Sequence, residues 1–309
     1  MLLILLLLSS PATYTAACME GITLWAKTLL PTLFPFMVCA SLLSKLGVDS
    51  LSDKLSPAMR RLKLPPAAAL CILLSVLSGY PIGSRTLLDL KNAGWIRPQD
   101  STRVSVICST SGPMFILGSV GLTMHKSFIA GILLLISHLS AILIVGLAFL
   151  PFIRPITPYK NSVPIDGIAH KNAASLSDSI QSSVITILYV GGFIAFFCVL
   201  THAIENTGIL KIPEKFFTLL LQGNSPAAKG CLLGLLEATR GCAILAQETT
   251  PLSMACTAFL ITFGGASILA QQLTFLKPAG VNVKRFIGIK LLQSSCSFGI
   301  CLCLCIAFL

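Results

Sequence analysis

Residues 127 to 150 read SFIAGILLLISHLSAILIVGLAFL, and no Asp, Glu, Lys or Arg interrupts them. A hydrocarbon core about 30 Å thick is crossed by ~20 consecutive apolar residues in a helix, each rising ~1.5 Å. This stretch is long enough to span. Further apolar stretches lie near 2–17, 20–44, 66–83, 103–121, 180–204, 227–246, 252–275 and 286–309. Of the 309 residues, 55% are hydrophobic and 11% charged, and the mean hydropathy is +0.88. A soluble domain carries about a quarter charged residues, and one globular core cannot hide this much apolar surface. The expected fold class is therefore all-α: a polytopic, multi-pass transmembrane protein of the cell membrane without a sizeable soluble domain.

The net charge of +11 arises from 22 Lys and Arg against 11 Asp and Glu. The basic residues fall in short loops between apolar stretches. That pattern orients membrane proteins, with Lys and Arg kept on the cytoplasmic side, and it argues against a nucleic-acid partner. The twelve cysteines invite a metal or redox reading. Most sit inside apolar stretches (Cys39, Cys71, Cys108, Cys198, Cys231, Cys256), and no C-x-x-C pair occurs, so they read as small apolar residues. No cofactor or metal is expected. Residues 1–18 read as a short N-terminal hydrophobic helix, because a basic leader is missing from Met1 to Leu8. Whether they are cleaved is left open.

Two apolar stretches are interrupted. The first ends in Ser78-Gly79-Tyr80-Pro81-Ile82-Gly83, and 227–246 contains Glu237-Ala238-Thr239-Arg240-Gly241. Gly and Pro at that density break a helix, and irregular backbone at membrane depth survives only where protein or a watery cavity satisfies it. Cys108-Ser109-Thr110-Ser111-Gly112-Pro113 and Thr262-Phe263-Gly264-Gly265-Ala266-Ser267, followed by Gln271-Gln272, are two further breaks.

The stretch 151–179, with four prolines, reads as a cytoplasmic linker between similar halves. Ile22–Leu46 lies over Ile180–Ile204. Gly112-Pro113-Met114-Phe115-Ile116-Leu117 lies over Gly265-Ala266-Ser267-Ile268-Leu269-Ala270, and Ala148-Phe149-Leu150 over Ala307-Phe308-Leu309. The common order and nearly constant offset indicate an internal repeat. If 66–95 dips in and returns as a re-entrant hairpin, the basic loops 45–65, 84–103, 151–179 and 276–285 all become cytoplasmic. They then hold 15 basic residues against 5 outside, as the positive-inside bias requires. Each half has three spans and one hairpin, so the second half is inverted. Inverted repeats with broken helices are a recurring transporter design.

The candidate site is the set of polar and glycine positions at the four breaks: Ser78, Gly79, Gly83, Ser109, Ser111, Gly112, Glu237, Thr239, Gly264, Gly265, Ser267 and Gln271. Gly lets backbone approach a ligand, and broken helix ends expose N–H and C=O groups. Singly, each Ser or Gly is accounted for by close helix packing; the four clusters together favour a site for a small polar solute or cation. A carboxylate or guanidinium at bilayer depth costs about 2.5–3.5 kcal/mol on insertion scales, which singles out Glu237 and Arg240. Their spacing permits an internal salt bridge if the helix persists. Arg85 and Asp89 read as a pair at a cytoplasmic edge, and His138 as hydrogen-bonded to a neighbour rather than catalytic. No G-x-S-x-G, H-E-x-x-H or G-x-x-x-x-G-K-[ST] occurs, so no enzyme is expected.

The segments Leu30-Pro31-Thr32-Leu33-Phe34-Pro35-Phe36, Ser78–Gly83, Ser111–Gly118, Leu235–Gly241 and Phe263–Ser267 resemble the nucleoside-recognition, or Gate-domain, membrane proteins. Within them they resemble the sporulation integral membrane proteins of the YlbJ type. The resemblance implies a first Gate-like repeat over 19–150, a second over 180–309, and a distant likeness to concentrative nucleoside transporters. The expected function is transport of a small, nucleoside-like polar solute linked to sporulation. The alternative is a non-transporting scaffold or assembly factor for spore formation. The expected partners are the lipid bilayer, the solute or cation and, in a homo-oligomer, a second copy of the chain.

Overall fold

The computed structural model describes residues 2–46, 48–149, 176–221 and 223–308. Most of the linker at 151–179 lies outside them. The described residues form helices and turns, with no strand among them. In the first half, α1 (Leu2–Ser9) stops at Ser10, and Pro11 opens α2 (Pro11–Leu24). Proline fits the first helical position because that N–H has no partner in any case. The helix boundary therefore falls at Ser10, and nothing interrupts the helix at residue 18. A π-helical segment, Trp25–Leu29, joins α2 to α3 (Leu30–Leu46) without a stop. Then follow α4 (Val48–Arg61), α5 (Ala68–Ser78), α6 (Ile82–Asn92), α7 (Pro98–Cys108), a second π-helical segment at Phe115–Met124, and α8 (Phe128–Phe149).

The second half repeats this order. A long helix, α9 (Leu176–Asn206), begins inside the stretch read as linker, with Asp178 in its first turn where a helix N-terminus favours negative charge. A short amphipathic α10 (Lys211–Leu220) matches α4. The hairpin α11 (Ser225–Leu236) and α12 (Ala238–Leu245) matches α5 and α6. The broken helix α13 (Pro251–Phe263) and α14 (Gly265–Leu276) matches α7 and its π-helical continuation, and α15 (Val283–Phe308) matches α8. Among the described residues, five segments are long and apolar enough to cross a membrane: Pro11–Leu42, Phe128–Phe149, Leu176–Asn206, Pro251–Leu276 and Val283–Phe308. The fourth is the pair α13–α14, interrupted at Gly264.

Two of the matching sets of helices pack on each other. Gly21 of α2 lies against Ala195 and Cys198 of α9, Gly191 of α9 against the Trp25 ring, and Trp25 Nε1 donates to the Ile187 carbonyl at 3.1 Å. Small residues allow the close approach that association in lipid requires. Rising numbers on one helix meet falling numbers on the other, so the two run antiparallel. α8 likewise packs on α15. One apolar cluster (Leu64, Leu87, Ile96, Leu276, Phe286) gathers the ends of the basic loops. Arg103 there reaches the Leu62 carbonyl, and Thr102 accepts from the Asn282 N–H. A second cluster (Leu29, Ile116, Leu134, Met254, Leu260) fills the rest.

Candidate functional site

All four breaks form, and they meet. The first occupies residues 79–81, the second 109–112; Glu237 is the third, and Gly264 caps α13 as the fourth. Gly79, at φ +74°, stacks on Gly112 so tightly that a Cβ would enter the Gly112 backbone. Gly265, at φ +61°, presses on the Gly234 carbonyl and the Ala238 N–H in the same way.

Polar side chains join the breaks further. Ser111 donates its hydroxyl to the Ile261 carbonyl at 3.0 Å, and Ser109 donates to Gln272 Oε1. His138 stands between the second and fourth breaks. Its Nε2 takes the Ser111 N–H at 3.0 Å and lies 2.7 Å from Thr110 Oγ1. A backbone N–H can only donate, so Nε2 is the acceptor and Nδ1 carries the proton. That proton goes to Thr262 Oγ1 at 2.9 Å, whose own hydrogen is spent on the Ala258 carbonyl. The expectation of a structurally bonded His138 holds.

A cavity of about 50 Å³ lies where the breaks converge, with Ser78, Ser111, Gly112, Glu237, Thr239 and Gln271 in its wall. These six expected residues are brought together; Tyr80 and apolar side chains such as Phe115 and Ile194 complete the lining. The other expected residues are absent from this wall. Gly83 packs on the Cys108 carbonyl and Ser75, and Ser109 is taken up by Gln272. Gly264 and Gly265 supply the backbone turn, and Ser267 is buried with no partner for its hydroxyl among the described residues.

Glu237 is completely buried at φ −131° and ψ 104°, between two helices. Its Oε2 caps α12 by accepting the Arg240 N–H at 2.6 Å, which satisfies one of the donors a helix start leaves open. Its Oε1 has no hydrogen-bond partner among the described residues. The internal salt bridge with Arg240 does not form, because the helix does not persist through Glu237. The Arg240 guanidinium points away, to Glu20 at 2.9 Å and Glu205 at 2.9 Å, with His202 at 3.2 Å. Arg85 and Asp89 both line a second, larger cavity of about 400 Å³.

Position along α9 orders these features. Ser182, Thr186 and Tyr189 line the larger cavity, Val190 and Ile194 the small one, and His202 and Glu205 belong to the ion cluster. The helices α2 and α3 repeat the order in reverse, with Glu20 in the cluster, Leu33 in the small cavity and Ser41 in the larger one. From residue 182 to residue 202 a helix rises about 30 Å. Met37 and Ser78 line both cavities, so these adjoin. Among the described residues, no group of three His, Cys, Asp or Glu side chains is placed to hold a metal ion.

Over 93% of its length the chain is 27% identical to the sporulation integral membrane protein YlbJ of Bacillus subtilis strain 168, 76% of which is covered. No protein-family model matches it, and no solved structure does. The integral membrane character in the relative's name agrees with the five apolar spans among the described residues. Sequence reasoning did not single out Tyr80 or Lys290 as site residues. Lys290 is fully buried and donates to Tyr80 Oη at 2.8 Å. The signal that finds it is a lysine inside an apolar helix, costly unless it has a partner.

Proposed function

We propose that the chain carries a small polar solute across a cell membrane, binding it where the four helix breaks meet. The observation behind this reading is the bare carboxylate oxygen of Glu237, fully buried in the wall of a cavity shared by elements from both halves. An unbonded acceptor in such a place is costly, and a ligand hydroxyl, amine or cation would remove the cost. The small cavity admits one such group. The larger one, at about 400 Å³, falls within the ~300–1,000 Å³ typical of small-molecule sites. It suits the body of a nucleoside-sized solute.

In this reading the halves are inverted repeats, supported by the antiparallel packing of α2 on α9, and the hairpins α5–α6 and α11–α12 are re-entrant. The larger cavity lies beside the basic loops and faces the cytoplasm. The ion cluster of Glu20, Glu205 and Arg240 closes the far side. The name of the B. subtilis relative supports a role in spore formation. Reconstituted vesicles loaded with labelled nucleosides and other small polar solutes test the proposal. Uptake or exchange that needs Glu237 supports it, and none with any solute, from protein that restores sporulation in a strain lacking its YlbJ, refutes it.

The second reading, a non-transporting scaffold or assembly factor, is favoured by the fate of Gly79, Gly83, Ser109 and Gly265. Their backbone or side-chain contacts are with other helix breaks and the helix ends beside them, which is what close packing alone requires. A scaffold should tolerate Gln at position 237.

A further inference from the structure

Lys290 lies in α15 with no part of it exposed. Its Nζ donates to Tyr80 Oη at 2.8 Å and to the Ser109 carbonyl at 2.9 Å, and sits 5.2 Å from the Tyr80 ring centroid. None of the ion pairs among the described residues includes it. A buried ammonium group in a membrane protein usually faces a carboxylate or backbone carbonyls. Here it faces the C-terminal end of α7, where the helix dipole leaves partial negative charge. The phenol oxygen completes the cradle. Uncharged oxygens at the end of a broken helix are the ligands that hold a monovalent cation.

We propose that the Ser109 carbonyl, Tyr80 and the end of α7 form a cation site that the chain fills with its own Lys290. The first and second breaks are then held together by a tethered ammonium group, and this pair of breaks needs no ion from solution. The inference concerns a site separate from the bare oxygen of Glu237 and does not depend on whether a solute is moved. With the side chain cut back to alanine, the site is vacant and has the chemistry for a small primary ammonium ion, which brings several donors in a compact charge.

The test is thermal unfolding of the purified full chain in choline chloride. Ethylammonium chloride, tetramethylammonium chloride and ethanol are added separately at equal concentration to the parent, Lys290→Ala and Lys290→Met. The alanine variant is expected to melt about 5 °C or more below the parent, since two acceptors lose their donor. It should regain at least half of that with ethylammonium and nothing with the other two. The methionine variant should melt lower and not recover, because its own stem fills the space. A methionine variant as stable as the parent, or an alanine variant restored equally by ethanol, would show that Lys290 only packs and would overturn the proposal. If neither variant folds, the parent decides. A sodium-dependent rise in its melting midpoint that survives Glu237→Gln would place a solution cation at these breaks and overturn the proposal, and insensitivity of both proteins would support it.

Discussion

One carboxylate oxygen of Glu237 caps a helix and the other faces a cavity, and the two roles can be separated by substitution. In Glu237→Gln the amide oxygen keeps the bond from the Arg240 N–H, and an –NH2 donor replaces the bare acceptor. A charged hydrogen bond to a ligand contributes about 1.5–3 kcal/mol, so solute uptake is expected to fall roughly ten- to a hundredfold at equal membrane expression. Uptake within twofold of the parent would remove Glu237 from the site. His138 has the opposite character, with both ring nitrogens bonded within the protein. His138→Phe leaves the Ser111 N–H unbonded, while the hydroxyls of Thr110 and Thr262 keep their bonds to the Ser111 and Ala258 carbonyls. That costs about 1–3 kcal/mol for the buried group left unbonded, visible as a melting midpoint several degrees lower; an unchanged midpoint would contradict the assigned network. Glu237 was legible in the sequence because a carboxylate in an apolar stretch is costly to bury. Lys290 carries the same cost, yet it follows the basic loop 276–285 so closely that a lysine stem there is expected to reach water. Only the packing of α15 against the first two breaks shows that it does not.

Helix ends were the most readable elements, since Gly, Pro and a lone acid gathered in apolar surroundings are poor company for a continuous helix. All four breaks fall where those residues cluster. What could not be read was their mutual contact, which depends on backbone meeting backbone. Gly79 and Gly94 show that term. Both have positive φ, +74° and +79°, so alanine is strained at either one, and more at Gly79, whose ψ of −158° puts it where essentially only glycine goes. At Gly79 a Cβ would enter the backbone of Gly112; at Gly94 nothing lies within 4 Å. Gly94→Ala should therefore cost only about 1 kcal/mol and yield monodisperse protein in detergent. Gly79→Ala should drive the first two breaks apart and abolish the monodisperse peak. Equal behaviour of the two on size-exclusion chromatography would mean that the breaks do not bear on each other as described. The two π-helical segments had no signature in the residues at all. Wide turns of this kind are set by tertiary packing, here the 2.7 Å contact between Thr32 Oγ1, just past the first segment, and Ser119 Oγ within the second.

At the scale of the molecule, the even order of elements in the two halves was visible as a weak sequence repeat. An inverted second half was expected from the charge pattern, but the contacts of α2 with α9 and of α8 with α15 were not, because they rest on which helices touch. The charge pattern makes its own prediction. In cysteine-free chain carrying single cysteines, an impermeant reagent added outside should label position 215 and leave positions 54, 60 and 97 untouched. Ready labelling at 54 with none at 215 would reverse the orientation, and labelling at 97 but not 60 would remove the first hairpin. The far-side ion cluster makes another. Leu33→Cys, in the wall of the small cavity, should be shielded from outside and become reactive when Arg240→Gln unties Glu20 from Glu205. Continued protection would assign that cluster to stability alone. The π-helical turns at Trp25–Leu29 and Phe115–Met124 border the same cavity through Leu29 and Phe115. Each holds a surplus residue relative to an α-helix, and passing that residue along the chain would swing whatever follows by ~100°. Leu33 and Met37 would leave the cavity wall together in one discrete click, with no hydrogen-bonded turn dissolved. Deleting Ala26 would jam this ratchet in a single register, and transport that continued undiminished would show that the helix does not turn.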